Sequence, residues 1–148
     1  MAKVETMDFD YKVAAYMAMK EAREFKRASE IAFDNNLSFP NMVNGAFACE
    51  LYLKAYLIWT TKSNVVIKKH QLSELFGMLD AEAQERIRKD TRINYWDTFL
   101  KDSSDAFRQW RYYFEKDRVL FGHVGELHRM AEALDVLCSE VVLLKEII

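Results

Sequence analysis

The sequence predicts an all-α fold, a single-domain antiparallel bundle of four to five main helices covering residues 1–148. The chain contains only one proline and four glycines, the two residue types that most disfavour helix interiors. Helix-forming Ala, Leu, Met, Glu, Lys and Arg occur throughout, and apolar residues recur at helical spacing. A chain of 148 residues also suits one domain whose core is large enough to need no disulfides.

The first two predicted helices are long and separated by a short polar link. One helix covers Asp8 to about Asn35, with a stripe of small and aromatic residues on one side and charges on the other. Asn35 and Asn36 favour its end, because their side chains compete for backbone hydrogen bonds. Ser38 is the expected N-cap of the second helix, with Pro40 in its first turn and Thr61 near its end.

The segment Met42–Trp59 of the second helix is apolar on every side and predicts a buried central helix. It nevertheless carries Glu50 and Lys54, which lie at positions i and i+4 in the order that favours an ion pair. Buried charges need partners, so we expect other polar groups to approach these two side chains.

The middle of the chain predicts short helices. Residues 60–69 form a polar connection, and the next short helix buries four residues on one face (Leu72, Leu75, Phe76 and Leu79). Asp80 is the expected cap of a basic helix over residues 81–93.

The last part of the chain predicts an aromatic segment, a junction and a final helix. Aromatic residues concentrate between Tyr95 and Asp117, with a break expected over residues 102–105. Two glycines in residues 118–125 indicate a loop or helix junction. The final helix is expected from Glu126 to Ile148, with one apolar stripe (Leu127, Met130, Leu134, Leu137, Val141 and Leu144).

Composition excludes several functional classes. The net charge of −2 gives no bulk attraction to nucleic acid, so any such binding needs a local patch. No apolar run suits a secretory signal or a membrane span, and we expect a cytoplasmic protein. Cys49 and Cys138 lack metal-ligand spacing and are interpreted as reduced core thiols. No P-loop, Rossmann or nucleophile-elbow motif is present, and no cofactor is expected.

Three stretches together resemble the HEPN domain family. GAFACELYLKAYLIW (residues 45–59) resembles its apolar helix with Glu-Leu-x-Leu-Lys-Ala, and KKHQLSELFGML (68–79) resembles the following His-x-Leu-x-x-Leu-Phe segment. SDAFRQWRYYFEKD (104–117) resembles the family's Ala-Phe-x-x-Trp-Arg-Tyr-x-Tyr-Glu helix, with Phe114 in place of the last tyrosine. The resemblance implies an all-α, usually dimeric bundle linked to RNA cleavage, defence, toxin–antitoxin pairs or nucleotidyltransferase partners.

Five polar residues are embedded in these apolar segments and predict a buried network (Glu50, Lys54, His70, Arg111 and Glu115). Pairing Glu50 with Arg111, and Lys54 with Glu115, would satisfy all four charges. Such a network either only fixes the register of the helices or contributes to function, and the sequence leaves both readings open.

The resemblance also suggests a catalytic pair. Catalytic HEPN ribonucleases carry an arginine followed by a histidine after four to six residues, act without metal, and join two copies at a dimer interface. Arg118 and His123 have this spacing, but Val119, Leu120 and Phe121 fill the motif with apolar side chains. We therefore expect a non-catalytic or weakly active domain, with a metal-independent endoribonuclease using Arg118 and His123 as the alternative.

Two further possibilities concern metal and RNA. His128 follows His123 by five residues, but no acidic or cysteine set is expected to converge there, so no metal site is predicted. A set of cations could bind phosphate, with Tyr95 and Trp96 exposed beside it for stacking on bases, or could simply be solvated (Lys68, Lys69, Arg86, Arg88, Lys89 and Arg92). The expected partners are a second copy of the chain, RNA, and a nucleotidyltransferase or antitoxin protein.

Overall fold

A computed structural model describes residues 9–104 and 124–147 of the chain. These residues form six α-helices, with no strand among them, so the predicted all-α helical bundle is confirmed. The helices are α1 (Tyr11–Asp34), α2 (Ser38–Thr61), α3 (Leu72–Gly77), α4 (Ala81–Thr91), α5 (Trp96–Ser104) and α6 (Val124–Val141), with short 3-10 turns at Val65–Lys68 and Leu144–Glu146.

Helices α1 and α2 form an antiparallel hairpin. Tyr11 at the start of α1 packs edge-on against Trp59 near the end of α2, with 6.2 Å between ring centroids. The turn between the helices is a Schellman motif, in which the Leu37 amide donates to Ala32 at 2.8 Å and Asn36 takes a left-handed φ of 60°. Asparagine tolerates this conformation better than most residues, which explains why the hairpin turns here.

Helix α2 is the central element, as predicted. Tyr52 and Leu53 are fully buried, and the buried residues of α2 surround its axis. It starts at Ser38 with Leu37 as the N-cap residue, so the expected serine cap is displaced by one position and makes no side-chain cap bond. Cys49 and Cys138 are buried free thiols, as predicted. No helix within residues 9–104 and 124–147 is long and apolar enough to cross a membrane.

Helix α6 lies parallel to α2 and is held by polar contacts as well as packing. The Tyr52 hydroxyl donates to Asp135 Oδ1 at 3.0 Å, and the Arg23 Nε of α1 donates to the same oxygen at 2.9 Å. Arg23 Nη2 also donates to Ser139 Oγ at 2.7 Å. One carboxylate therefore links α1, α2 and α6.

Helices α3 and α5 form a smaller aromatic layer. Trp96 packs on Phe76 at 4.9 Å and on Phe99 at 5.6 Å between ring centroids. The Ser104 hydroxyl accepts from the Ser73 amide at 2.8 Å. Helix α5 includes residues 102–104, where a break over residues 102–105 was predicted, and Asp105 lies outside the described residues. The Ser104 hydroxyl also donates to the Leu100 carbonyl at 2.6 Å, which satisfies it inside the helix.

Two boundaries of the final helix differ from the prediction. Helix α6 begins at Val124, so Gly125 lies in its first turn. It ends at Val141, and Leu144 is exposed in the following 3-10 turn, so the predicted apolar stripe stops before Leu144.

Candidate functional site

Glu50, Lys54 and His70 form one cluster at the junction of α2 and the segment after it. Lys54 Nζ lies 2.9 Å from Glu50 Oε2 and also donates to the Ile67 carbonyl at 3.0 Å. His70 Nδ1 lies 3.0 Å from the same Glu50 oxygen. The 3-10 turn at Val65–Lys68 brings the Ile67 carbonyl to this point, because buried Val66 anchors the turn in the core. Glu50 and Lys54 therefore pair along one face of α2, as their i and i+4 spacing allows.

The cluster is buried at one end and open at the other. The side chains of Lys54 and Glu50 are 9% and 15% exposed, whereas that of His70 is 72% exposed. Lys54 donates to the Glu50 carboxylate and to the Ile67 carbonyl. His70 Nδ1 must carry a proton to donate to the same carboxylate at 3.0 Å, so it is a neighbour of Lys54 Nζ at 3.4 Å and not its acceptor. The arrangement compensates the burial of two charges and fixes the position of the segment that follows α2.

Four predicted site residues, Arg111, Glu115, Arg118 and His123, lie outside the described residues. The pairing of Glu50 with Arg111 and of Lys54 with Glu115 stays a prediction, as does the catalytic pair. Lys54 also donates to the Ile67 carbonyl, a partner that the sequence did not predict.

Two of the six predicted RNA-binding cations are engaged in intramolecular ion pairs. Arg86 makes a two-pronged contact with Glu140 of α6, at 2.7 and 2.6 Å. This contact raises the pKa of the Arg86 guanidinium and lowers the pKa of the Glu140 carboxyl. Lys69 Nζ lies 3.0 Å from Glu74. These contacts reduce the charge that either cation could offer to a phosphate.

The end of α4 and the start of α5 border an open groove of about 370 Å³. Arg88 lines it and lies 5.4 Å from the centre of the Phe76 ring, and Tyr95 lines it with 79% of its surface exposed. Trp96 also borders the groove but is buried, so the expectation that its ring would be free to stack was wrong. Its indole Nε1 has no hydrogen-bond partner in the part of the chain that the structure describes. The remaining predicted cations are exposed (Lys68, Lys89 and Arg92).

A second group of side chains, which could together bind a metal ion, lies between α1 and α6. Glu30, His128 and Glu132 each present a possible metal-ligand atom, and these atoms lie within 4.8 Å of one another. The expectation that no acidic residues converge on His128 was therefore wrong. Glu30 and His128 also line a cavity of about 320 Å³, together with buried Asn41.

Comparisons of the chain with protein-family models, curated proteins and solved structures gave no match. The resemblance to HEPN domains therefore rests on the three sequence stretches described above.

The sequence carries a signal for some of the site residues that we did not predict, and none for the others. His128 and Glu132 stand at i and i+4, so their common helix face could have been found from the sequence. Glu30 precedes them by about one hundred residues and joins them only through the packing of α1 beside α6. The unpartnered indole nitrogen of Trp96 also depends on tertiary packing and has no sequence signal.

Proposed function

We propose that this chain is a HEPN-like helical domain that binds single-stranded RNA in the groove between α4 and α5, and that it cleaves RNA weakly or not at all. The family part of the proposal rests on the three sequence stretches in their order. The RNA part rests on one observation: the exposed ring of Tyr95 shares a groove with the guanidinium of Arg88.

The side chains of this groove suit a nucleotide. An exposed tyrosine ring offers a stacking surface for a base, and arginine donates to phosphate through a planar fork. Asp97 lines the same groove and would repel phosphate, so we expect the sugar–phosphate chain to lie on the Arg88 side. This polar lining favours RNA over a protein partner, whose docking usually needs an apolar patch.

The test is fluorescence anisotropy with a labelled, unstructured RNA oligonucleotide, measured at several salt concentrations. Arg88→Gln should weaken binding about tenfold and lower the salt slope by about one. Tyr95→Ala should weaken binding through lost stacking, by about 1–3 kcal/mol, while Asp97→Asn should strengthen it. Lys20→Gln removes one exposed positive charge from α1 and is the matched control.

Equal losses for Arg88→Gln and Lys20→Gln would contradict the groove as the binding site, because only general electrostatics would then remain. The same RNA incubated with the protein in EDTA tests the alternative activity. Robust cleavage that leaves a cyclic phosphate and disappears in His123→Ala would replace the binding role with the endoribonuclease. Arg118→Ala should then behave in the same way, with helicity retained in both variants.

The proposal includes a symmetric homodimer. Phe9, Val13 and Met17 are exposed apolar residues at helical spacing near the start of α1. An exposed apolar stripe can bury itself against the same stripe of a second copy related by a twofold axis. Sedimentation at tens of micromolar should give a dimer, and Met17→Glu should shift it to monomer. A parent protein that sediments as a monomer would remove the dimer from the proposal.

A further inference from the structure

We propose that Glu30, His128 and Glu132 form a binding site for a divalent transition-metal ion between α1 and α6. His128 and Glu132 are one helical turn apart, with His128 Nε2 2.8 Å from Glu132 Oε1. Glu30 approaches from the neighbouring helix, and the three candidate ligand atoms lie within 4.8 Å of one another. The site is separate from the groove between α4 and α5 and does not depend on RNA binding.

The donor set selects the class of ion. One imidazole nitrogen with two carboxylate oxygens suits Zn²⁺, Co²⁺ or a similar transition ion better than Mg²⁺ or Ca²⁺, which prefer oxygen ligands alone. Ligand atoms around tetrahedral zinc lie about 3.4 Å apart, given bonds of about 2.1 Å. The longer separations, which reach up to 4.8 Å, must therefore close by roughly an ångström, and the 2.8 Å between His128 Nε2 and Glu132 Oε1 must open slightly. The side chains of His128 and Glu132 are 44% and 57% exposed, so they have room to turn.

Lys26 places a positive charge beside the proposed ion. Its Nζ lies 2.9 Å from Glu30 Oε2, one turn earlier on α1. A carboxylate has a second oxygen, so Glu30 can bind a metal while it keeps the lysine. The ammonium nevertheless repels a cation at this distance, and its removal should tighten metal binding. An ordinary surface pair of His128 with Glu132 would not respond to Lys26 in this way.

The cavity beside the site gives the ion a place for a further ligand. Glu30 and His128 line this space of about 320 Å³, as does Asn41. Asn41 is buried, and its Oδ1 accepts from the Ser29 hydroxyl at 2.7 Å, which holds the amide in place. Three protein ligands leave at least one coordination position for water or a small oxygen-donor molecule, the arrangement of open zinc sites. The cavity is where such a molecule would lie.

The experiment is calorimetric titration of the full chain with ZnCl₂ after removal of metal with EDTA and dialysis. Uptake should saturate at one ion per chain, and Co²⁺ should give visible absorption that zinc displaces, while Mg²⁺ should not compete. Glu30→Gln and His128→Gln should each weaken zinc binding at least about tenfold. Lys26→Gln should tighten it about fivefold, as expected for one nearby charge at high dielectric.

His70→Gln and Lys20→Gln are the matched controls, because they remove the same groups elsewhere on the surface. Zinc should also raise the melting temperature of the parent protein, since the ion joins α1 to α6 only in the folded state. The proposal is overturned if no one-to-one uptake occurs, if Glu30→Gln binds zinc as tightly as the parent, or if the loss follows His70→Gln instead.

Discussion

At the scale of single residues, Lys54 has one hydrogen-bond partner that can be predicted from the sequence and one that cannot. Its pairing with Glu50 could be predicted because both side chains share one helix face, four residues apart. Its hydrogen bond to the Ile67 carbonyl could not be predicted, because every residue has a backbone carbonyl. Which carbonyl reaches Lys54 depends on the path of the chain after α2. The need for partners was predictable from burial, but the identity of this one was not.

Lys54→Met should lower the free energy of unfolding by about 3 kcal/mol, since it removes the lysine that pairs with the largely buried Glu50 carboxylate and leaves His70 as the partner of that carboxylate within residues 9–104 and 124–147. Urea unfolding followed by circular dichroism measures this change. Adding Glu50→Gln to Lys54→Met should recover part of the loss, because it removes the stranded charge. A midpoint equal to that of the parent would show that the ion pair does not contribute.

Gly45 lies where α2 packs closely against α1 and α6. A Cβ at this position would lie 3.3 Å from Ser29 Oγ and 3.6 Å from Leu127 Cβ. Ser29 cannot easily move, because its hydroxyl is 2.7 Å from both the carbonyl oxygen and Oδ1 of Asn41. The crowding should therefore outweigh the gain in helix propensity, which is about 1 kcal/mol.

We accordingly expect Gly45→Ala to destabilise the protein in chemical unfolding. Ser29→Ala should be less harmful in the Gly45→Ala background than in the parent, since it removes the crowded oxygen. Strictly additive effects of the two substitutions would mean that the contact with Ser29 is not the cause.

At the scale of elements, Asp80 shows how one carboxylate positions a helix. Its Oδ1 accepts from the Ala83 amide at 2.8 Å and caps α4, as the sequence predicted. Its Oδ2 accepts from the Tyr56 hydroxyl of α2 at 2.9 Å, which was not predicted. The cap follows a local rule, whereas the tie to α2 needs the packed bundle.

Asp80→Ala should cost about 2 kcal/mol, because it removes the cap and leaves the Tyr56 hydroxyl without its acceptor. Asp80→Asn is the matched control, since asparagine caps a helix about as well and still offers an oxygen. Thermal unfolding should rank the parent first, the asparagine variant second and the alanine variant last. An alanine variant as stable as the asparagine variant would contradict the role of the side-chain oxygen.

At the scale of the whole molecule, the sequence predicted the helical class and the central position of α2 because both follow from composition and local periodicity. It was wrong about Trp96, since an aromatic residue next to exposed Tyr95 gives no sign of which ring enters the core. It was wrong about Leu144 because the apolar stripe continues past Val141, where the helix ends. The cluster around His128 was missed because its third member comes from a distant helix.

Buried tyrosine and cysteine side chains predict how the stability of the protein changes at high pH. Burial is the main cause that raises the pKa of Tyr56 to about 12, and it raises the pKa of Tyr52, Cys49 and Cys138 still further. The ordinary values are 10.0 for tyrosine and 9.0 for cysteine, so the unfolded chain releases these protons first. The folded state then holds more protons than the unfolded state, and stability falls as pH rises.

The loss should begin near the ordinary cysteine value of 9.0 and continue at least through the Tyr56 value of about 12. Urea midpoints measured between pH 8 and pH 11 should therefore decrease steadily, within the range of about 8–11 where these groups ionise when unfolded. Tyr56→Phe should make the decrease shallower, because one proton fewer is released on unfolding. A midpoint that stays constant over this range would contradict the assignment, since at least four buried acids would then have to unfold without releasing protons.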